Sequence, residues 1–185
     1  MKLLLFTLIS LVIPKEDLRF KYVHEQGYDQ SCGVSITSTL LDIYWNKQCS
    51  ELDLLELLDS GDDEEYTVNL NDISKFITAY ELFSKSYKMT FEELVAASIK
   101  YSPVVVHYNY PDKHFALFLG YKDGQIVTAD PARGLEVLSV KEFEKRWSNM
   151  VMLVASNSEE KESEILEEAV NVNLKRKKIL DRRAW

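Results

Sequence analysis

The sequence predicts an α+β fold, with a helical N-terminal lobe followed by a C-terminal antiparallel sheet. Three observations predict it. Before Pro103, apolar residues recur at helical spacing behind residues that cap helices. From Pro103 onward, the runs SPVVVHYNY, HFALFLGY, QIVTAD and LEVLSV are short and rich in β-branched or aromatic residues. Between the second and third of these runs, Lys122-Asp123-Gly124 is a hairpin turn signal. Helices first and antiparallel strands after give two lobes with a cleft between them.

Each element has its own signal. Cys32-Gly33 opens a helix whose apolar residues are Val34, Ile36, Leu40, Leu41, Tyr44 and Trp45. Ser50 is an N-cap with Leu52, Leu54, Leu55, Leu57 and Leu58 behind it. The acidic run from Asp59 to Glu65 is a solvated loop. Asn71 and Thr90 cap two more short helices, and Thr90 with Glu93 forms a capping box. After the four strand-like runs, KEFEKRW is a short helix and MVMLVAS a last strand. The remainder, 156–185, is acidic first and basic last. Ile165, Leu166, Ala169, Val172 and Leu174 follow helical spacing loosely, which predicts a long exposed helix or a mobile tail. Its basic end, Lys175 to Lys178 with Arg182 and Arg183, could alternatively dock on a membrane-associated or secretion-system partner, or on an acidic lipid surface.

Composition restricts the function. The chain has 185 residues, of which 46% are hydrophobic, enough for one full core. A net charge of −8 argues against nucleic acid as a partner, because phosphate binding needs a basic surface. No P-loop, dinucleotide-binding glycine pattern or zinc-type Cys/His spacing occurs. Residues 1–16 begin MKLLLFTLISLVIP, a lysine followed by eleven apolar or small residues. That pattern fits a secretory signal and predicts a secreted or periplasmic protein. The cleavage site is poor, so a membrane anchor or a buried N-terminal strand is the alternative. The stretch is shorter than the roughly 20 residues a membrane-spanning helix needs.

The chemistry concentrates in two strings. EQGYDQSCGVSITSTLLDIYW places Cys32 at a helix start, where the positive end of the helix dipole and free N–H groups favour a thiolate. DKHFALFLGYKDGQIVTADPARG supplies His114 ahead of a strand and Asp130, sixteen residues later, at a turn. A thiol, a base and a carboxylate to orient the base are the parts of a cysteine nucleophile. The second cysteine, Cys49, would lie roughly 25 Å away along an intervening helix at 1.5 Å per residue. Bridgeable Cα atoms lie within about 7 Å, so both thiols are expected to be free and Cys49 inert. His24 and His107 are the competing bases. His24 precedes the first string and His107 sits in the VVVHYNY strand, and both are assigned structural roles.

The same strings resemble a known family. Gln26, Asp29, Ser31, Cys32 and Gly33 match the Q-x-x-D-x-S-C-G signature of the bacteriocin-processing peptidases, cysteine peptidase family 39. The resemblance continues through H-F-A-L-F-L-G from His114 and A-D-P-A-R-G around Asp130, over residues 17–155. It implies a papain-like cysteine peptidase domain that removes leader peptides after a Gly-Gly pair. By position, Cys32 is the nucleophile, His114 the general base, Asp130 its orienting residue and Gln26 the oxyanion glutamine. Asp29 and Gln30 shape the loop. No metal or organic cofactor is implied. Such domains usually begin a peptide-exporting ABC transporter. The transporter's membrane and ATPase domains have no counterpart in this sequence, so a free-standing enzyme acting on a peptide or precursor protein is expected. Two other readings compete: a non-catalytic peptide-binding module of the same fold, and another papain-like acyl transfer such as transglutamination or amide hydrolysis.

Overall fold

The computed structural model describes residues 19–28, 30–58, 68–157, 161 and 163–183. The apolar segment at 1–16 and the acidic run after Leu58 lie outside them. Helix α1 (Cys32–Thr39) continues into a π-helical turn (Leu40–Tyr44), and α2 (Glu51–Glu56) and α3 (Leu70–Ala79) follow. Next come β1 (Phe83–Lys88), α4 (Phe91–Tyr101), β2 (Val104–Tyr108), β3 (His114–Lys122), β4 (Gln125–Asp130) and β5 (Gly134–Ser139). The chain closes with α5 (Val140–Arg146), β6 (Trp147–Ala155) and α6 (Ser163–Arg183). The six strands form one sheet in the order β1-β6-β2-β3-β4-β5, every neighbouring pair antiparallel. The α+β class is the one the sequence predicts.

Strand alternation gives the sheet two apolar faces. Leu117, Leu119 and Val105 face a core shared with α1, α3 and the π-helical turn. Ala116, Phe118, Val104 and Val106 face the other way, against Leu94 of α4 and Phe143 of α5. The β3–β4 hairpin turns at Asp123 and Gly124, whose φ values of 54° and 76° are what a type I′ turn requires. Ser50, Thr90 and Ser139 each make a capping box with the acid three residues on.

Three expectations are corrected. The cap of α3 is Asn69, not Asn71: its side chain accepts the N–H groups of Asn71 and Asp72, and Asp72 returns a bond to the Asn69 N–H. Strand β1 adds a strand within the half expected to be helical. Its sequence, FSKSYK, lacks apolar alternation because it is a mostly exposed edge strand, paired to β6 alone. The C-terminal helix is docked rather than solvated. Ala169 and Leu174 enter the core, and α6 lies over β3, β4 and β5. Polar contacts fasten it: Lys21 to Glu168 at 2.9 Å, Lys122 to Asn171 at 3.2 Å and Lys177 to the Val137 carbonyl at 3.3 Å. Its loose apolar pattern reflects a helix that buries only a narrow stripe.

Candidate active site

Cys32 is the first residue of α1, preceded by Ser31 as N-cap. The helix reaches the sheet closely because the next residue is glycine. A Cβ on Gly33 would stand 2.8 Å from Val68 Cγ1 and 3.4 Å from Phe115 Cδ2. That approach sets the thiol beside the start of β3, where His114 is the first residue. Asp130 is the last residue of β4. In an antiparallel hairpin the start of one strand and the end of the next lie at the same edge, so sixteen residues of separation in sequence close to contact in space. His114 Nε2 is 3.0 Å from Asp130 Oδ1. Tyr108 stacks behind the imidazole, centroids 6.4 Å apart and planes 26° from parallel.

Asp130 is fully buried, and its Oδ1 also accepts the N–H groups of Ala132 at 2.9 Å and Arg133 at 3.1 Å. Burial alone would raise its pKa. The hydrogen bond and charge of His114, then the Ala132 N–H and Arg133, outweigh burial and hold the carboxyl below the usual carboxylate range. Burial likewise opposes a charge on His114, but hydrogen bonds and attraction from Asp130 and Cys32 raise its pKa to about 9. For Cys32, burial disfavours the thiolate. The His114 hydrogen bond and charge, with backbone bonds from Phe115 and Gly33, prevail and lower the thiol's pKa. The three groups therefore favour a thiolate–imidazolium pair backed by a carboxylate.

Cys32 and His114 open into a cleft of about 970 Å³ that Gln26 also lines, with Asp130 buried behind the imidazole. The Gln26 N–H donates to the Pro131 carbonyl at 2.9 Å, which ties its loop to the turn carrying Asp130. The structure thus brings Cys32, His114, Asp130 and Gln26 together. Asp29 lies outside the described residues, and Gln30 is at the cleft wall. Both cysteines are free, and burial chiefly pushes the Cys49 thiol up to about 11. His24 is engaged elsewhere, its Nδ1 2.8 Å from Ser38 Oγ and its Nε2 3.1 Å from Asp42. His107 has a structural bond to Ser148 yet also lines the cleft. Other parts of the wall, Val68 to Asn71 and Tyr110 to Lys113, carried no functional signal in the sequence, because those segments come beside Cys32 only on folding. Among the described residues, no group of three or more His, Cys, Asp or Glu could hold a metal ion.

The Peptidase C39 family profile matches residues 19–159. The chain belongs to the peptidase C39 family. It is a cysteine peptidase of papain-like fold. No curated protein matches the sequence. Among solved structures, this C39 peptidase is similar to a double glycine motif protease from an AMS/PCAT transporter, solved in complex with the leader peptide. Identity is 22% over 71% of this chain and 89% of that one, with a TM-score of 0.59. It is also similar to the peptidase domain of Streptococcus ComA, a bifunctional ABC transporter of a quorum-sensing pathway. There identity is 16%, coverage 74% and 98%, and TM-score 0.63. The corresponding domain of Streptococcus mutans ComA is 15% identical over 72% of this chain and 98% of its own, with a TM-score of 0.55. At these identities the structural likeness bears on fold.

Proposed function

We propose that this peptidase cuts a peptide or precursor protein after a pair of small residues of the Gly-Gly type, using Cys32, His114, Asp130 and Gln26. The observation that carries the proposal is that Cys32 and His114 line one cleft while the buried Asp130 lies 3.0 Å from His114. The Cys32 thiolate attacks the scissile carbonyl carbon, and the carbonyl oxygen becomes an oxyanion. The Gln26 side-chain amide and the Cys32 backbone N–H donate to it, each worth roughly 3 to 4 kcal/mol. His114 gives its proton to the departing amine as the C–N bond breaks, leaving a thioester on Cys32. Neutral His114 then takes a proton from water, which attacks the thioester and releases the new carboxylate and the thiolate. Asp130 holds the ring in orientation and stabilises the imidazolium.

The substrate class draws support from the family and from a similarly folded protease solved with a leader peptide. Val68 and Phe115 line the cleft beside Cys32, apolar walls that suit small side chains. A bulky residue would overpack them at a cost of typically 1 to 3 kcal/mol. A peptide series varying the two residues before the cut tests this. The Gly-Gly peptide should be cleaved at least about tenfold faster than its Leu-Leu counterpart, since 1.4 kcal/mol is a factor of ten. Preference for large apolar residues, or cleavage that survives Cys32→Ala, would overturn the proposal.

A further inference from the structure

A second imidazole, His107, lines the cleft, with one of its ring nitrogens committed to a serine. His107 is on β2, paired in register with Phe115, the residue after His114. Its ring packs against the Phe115 ring at 5.1 Å between centroids. Its Nδ1 lies 2.9 Å from Ser148 Oγ. That hydroxyl has one hydrogen, which it donates to the His107 carbonyl at 2.9 Å. Towards the ring it can therefore only accept, so Nδ1 carries the proton and Nε2 bears a lone pair. The same oxygen takes the Met150 N–H at 3.3 Å, so the seryl group is held from three sides. Burial first, then the positive charges of Lys113 and His114, keep the ring neutral by lowering its pKa.

Among the described residues, nothing bonds Nε2. Among the charged and amide groups lining the cleft, the His114 imidazolium, Lys113 and Arg133 only donate, Asp112 only accepts, and the Gln26, Gln30, Asn69 and Asn71 amides do both. Donors suit the carbonyl oxygens of a peptide. Its N–H groups need an acceptor, and a Gly-Gly pair offers only backbone for recognition. We propose that His107 is a substrate-positioning residue whose Nε2 accepts one backbone N–H of the peptide in the cleft, so setting which bond lies over Cys32. The inference rests on Cys32 being the nucleophile for Gly-Gly peptides and adds how register on so featureless a sequence is read.

The test uses the full chain and a Gly-Gly peptide. Single amides near the cut, but never the scissile one, are replaced in turn by esters, each removing one N–H. The unaltered enzyme should lose about tenfold in kcat/KM at one position and little at the others. His107→Phe should lose a similar factor on the all-amide peptide, mainly through KM, and lose nothing further on that one ester. His107→Gln, which retains an acceptor, should recover part of the loss. Ser148→Ala, which keeps the ring but frees its tautomer, should raise KM with kcat little changed. Losses that add independently at every ester position, or a His107→Phe enzyme with unchanged KM, would overturn the proposal. If His107→Phe does not fold, as read by its thermal melt, the Gln and Ser148 variants decide by the same pattern. An unaltered enzyme that cuts none of the peptides would overturn the Gly-Gly reading itself and this proposal with it. That outcome is distinct because it appears before any variant is made.

Discussion

Nε2 of His114 lies 3.0 Å from Oδ1 of Asp130, and the same oxygen accepts two backbone N–H groups of the following turn. One buried carboxylate atom thus orients the ring and shapes the chain that carries it. With Nε2 engaged, Nδ1 is the nitrogen left for the Cys32 thiol, with which His114 also shares a hydrogen bond.

The first prediction is the pH profile. Cleavage requires the thiolate and the imidazolium together, and the two titrate as a coupled pair. kcat/KM should fall on the alkaline side near pH 9, where His114 loses its proton. It should hold on the acid side to well below the ordinary thiol pKa of about 8.5. The sign for stability is the same. The protonated ring is favoured by the fold, so its contribution is complete below about pH 6.5 and is lost as pH rises through about 9. A fluorogenic peptide and a parallel set of thermal melts measure both. An acid limb at an ordinary thiol value would contradict the ion pair.

Two substitutions at Asp130 should separate its roles. Asp130→Asn keeps an oxygen for the Ala132 and Arg133 N–H groups but removes the charge. The alkaline limb should move down toward the ordinary histidine value, and kcat/KM should fall roughly a hundredfold, with each pKa unit worth a factor of ten. Asp130→Ala orphans both N–H groups and should also cost about 1 to 3 kcal/mol of stability. Equal stability of the two variants would show that the turn does not depend on the carboxylate.

Alkylation should distinguish the two thiols. Cys32 should react rapidly at pH 7, whereas Cys49, buried and with its pKa pushed up to about 11, should react only on unfolding. Cys32→Ala and His114→Ala should both abolish cleavage, and His114→Ala should also lower the melting temperature, because the buried Asp130 loses its partner. Mass spectrometry of labelled peptides reads the rates, and equal labelling would remove the case for an activated Cys32.

Gly134 is in register with Asp130 and has φ of +80°. A Cβ there would stand 2.6 Å from the Arg19 carbonyl oxygen. Gly134→Ala should therefore destabilise the fold by roughly 1 to 3 kcal/mol and reduce activity through the shifted turn. Urea denaturation gives the first quantity and peptide cleavage the second.

Leu174 of α6 is only 5% exposed. Leu174→Ala should cost roughly 2 to 5 kcal/mol, the range for truncating a buried leucine. A solvated helix would show no change, so a denaturant melt decides whether α6 belongs to the core.

How much was legible follows from what each signal is made of. The hairpin at Asp123-Gly124, the Thr90–Glu93 capping box and the strong apolar strands are local, and each stands in the sequence where the structure has it. The helix starting at Cys32 was legible, but its passage into a π-helical turn at Leu40 was not, because that depends on packing rather than periodicity. Strand β1 was missed because an exposed edge strand needs no apolar face, only a partner's backbone. The docking of α6 was missed because Ala169 and Leu174 are too few to outweigh the charges around them.

For the site, the sequence by itself determined which groups were available: a thiol at a helix start with glycine behind it, a histidine opening one strand and an aspartate closing the next. Reaction chemistry restricts those residue types, and the resemblance to the family signature picks them out. Only the tertiary structure decided that the His114 ring gives Nε2 to Asp130, that Val68 closes on Gly33, and that His107 lines the same cleft as Cys32. Those relations join segments tens of residues apart. They depend on sheet register and on the tautomer each hydrogen bond imposes, and neither is written in any one stretch of chain.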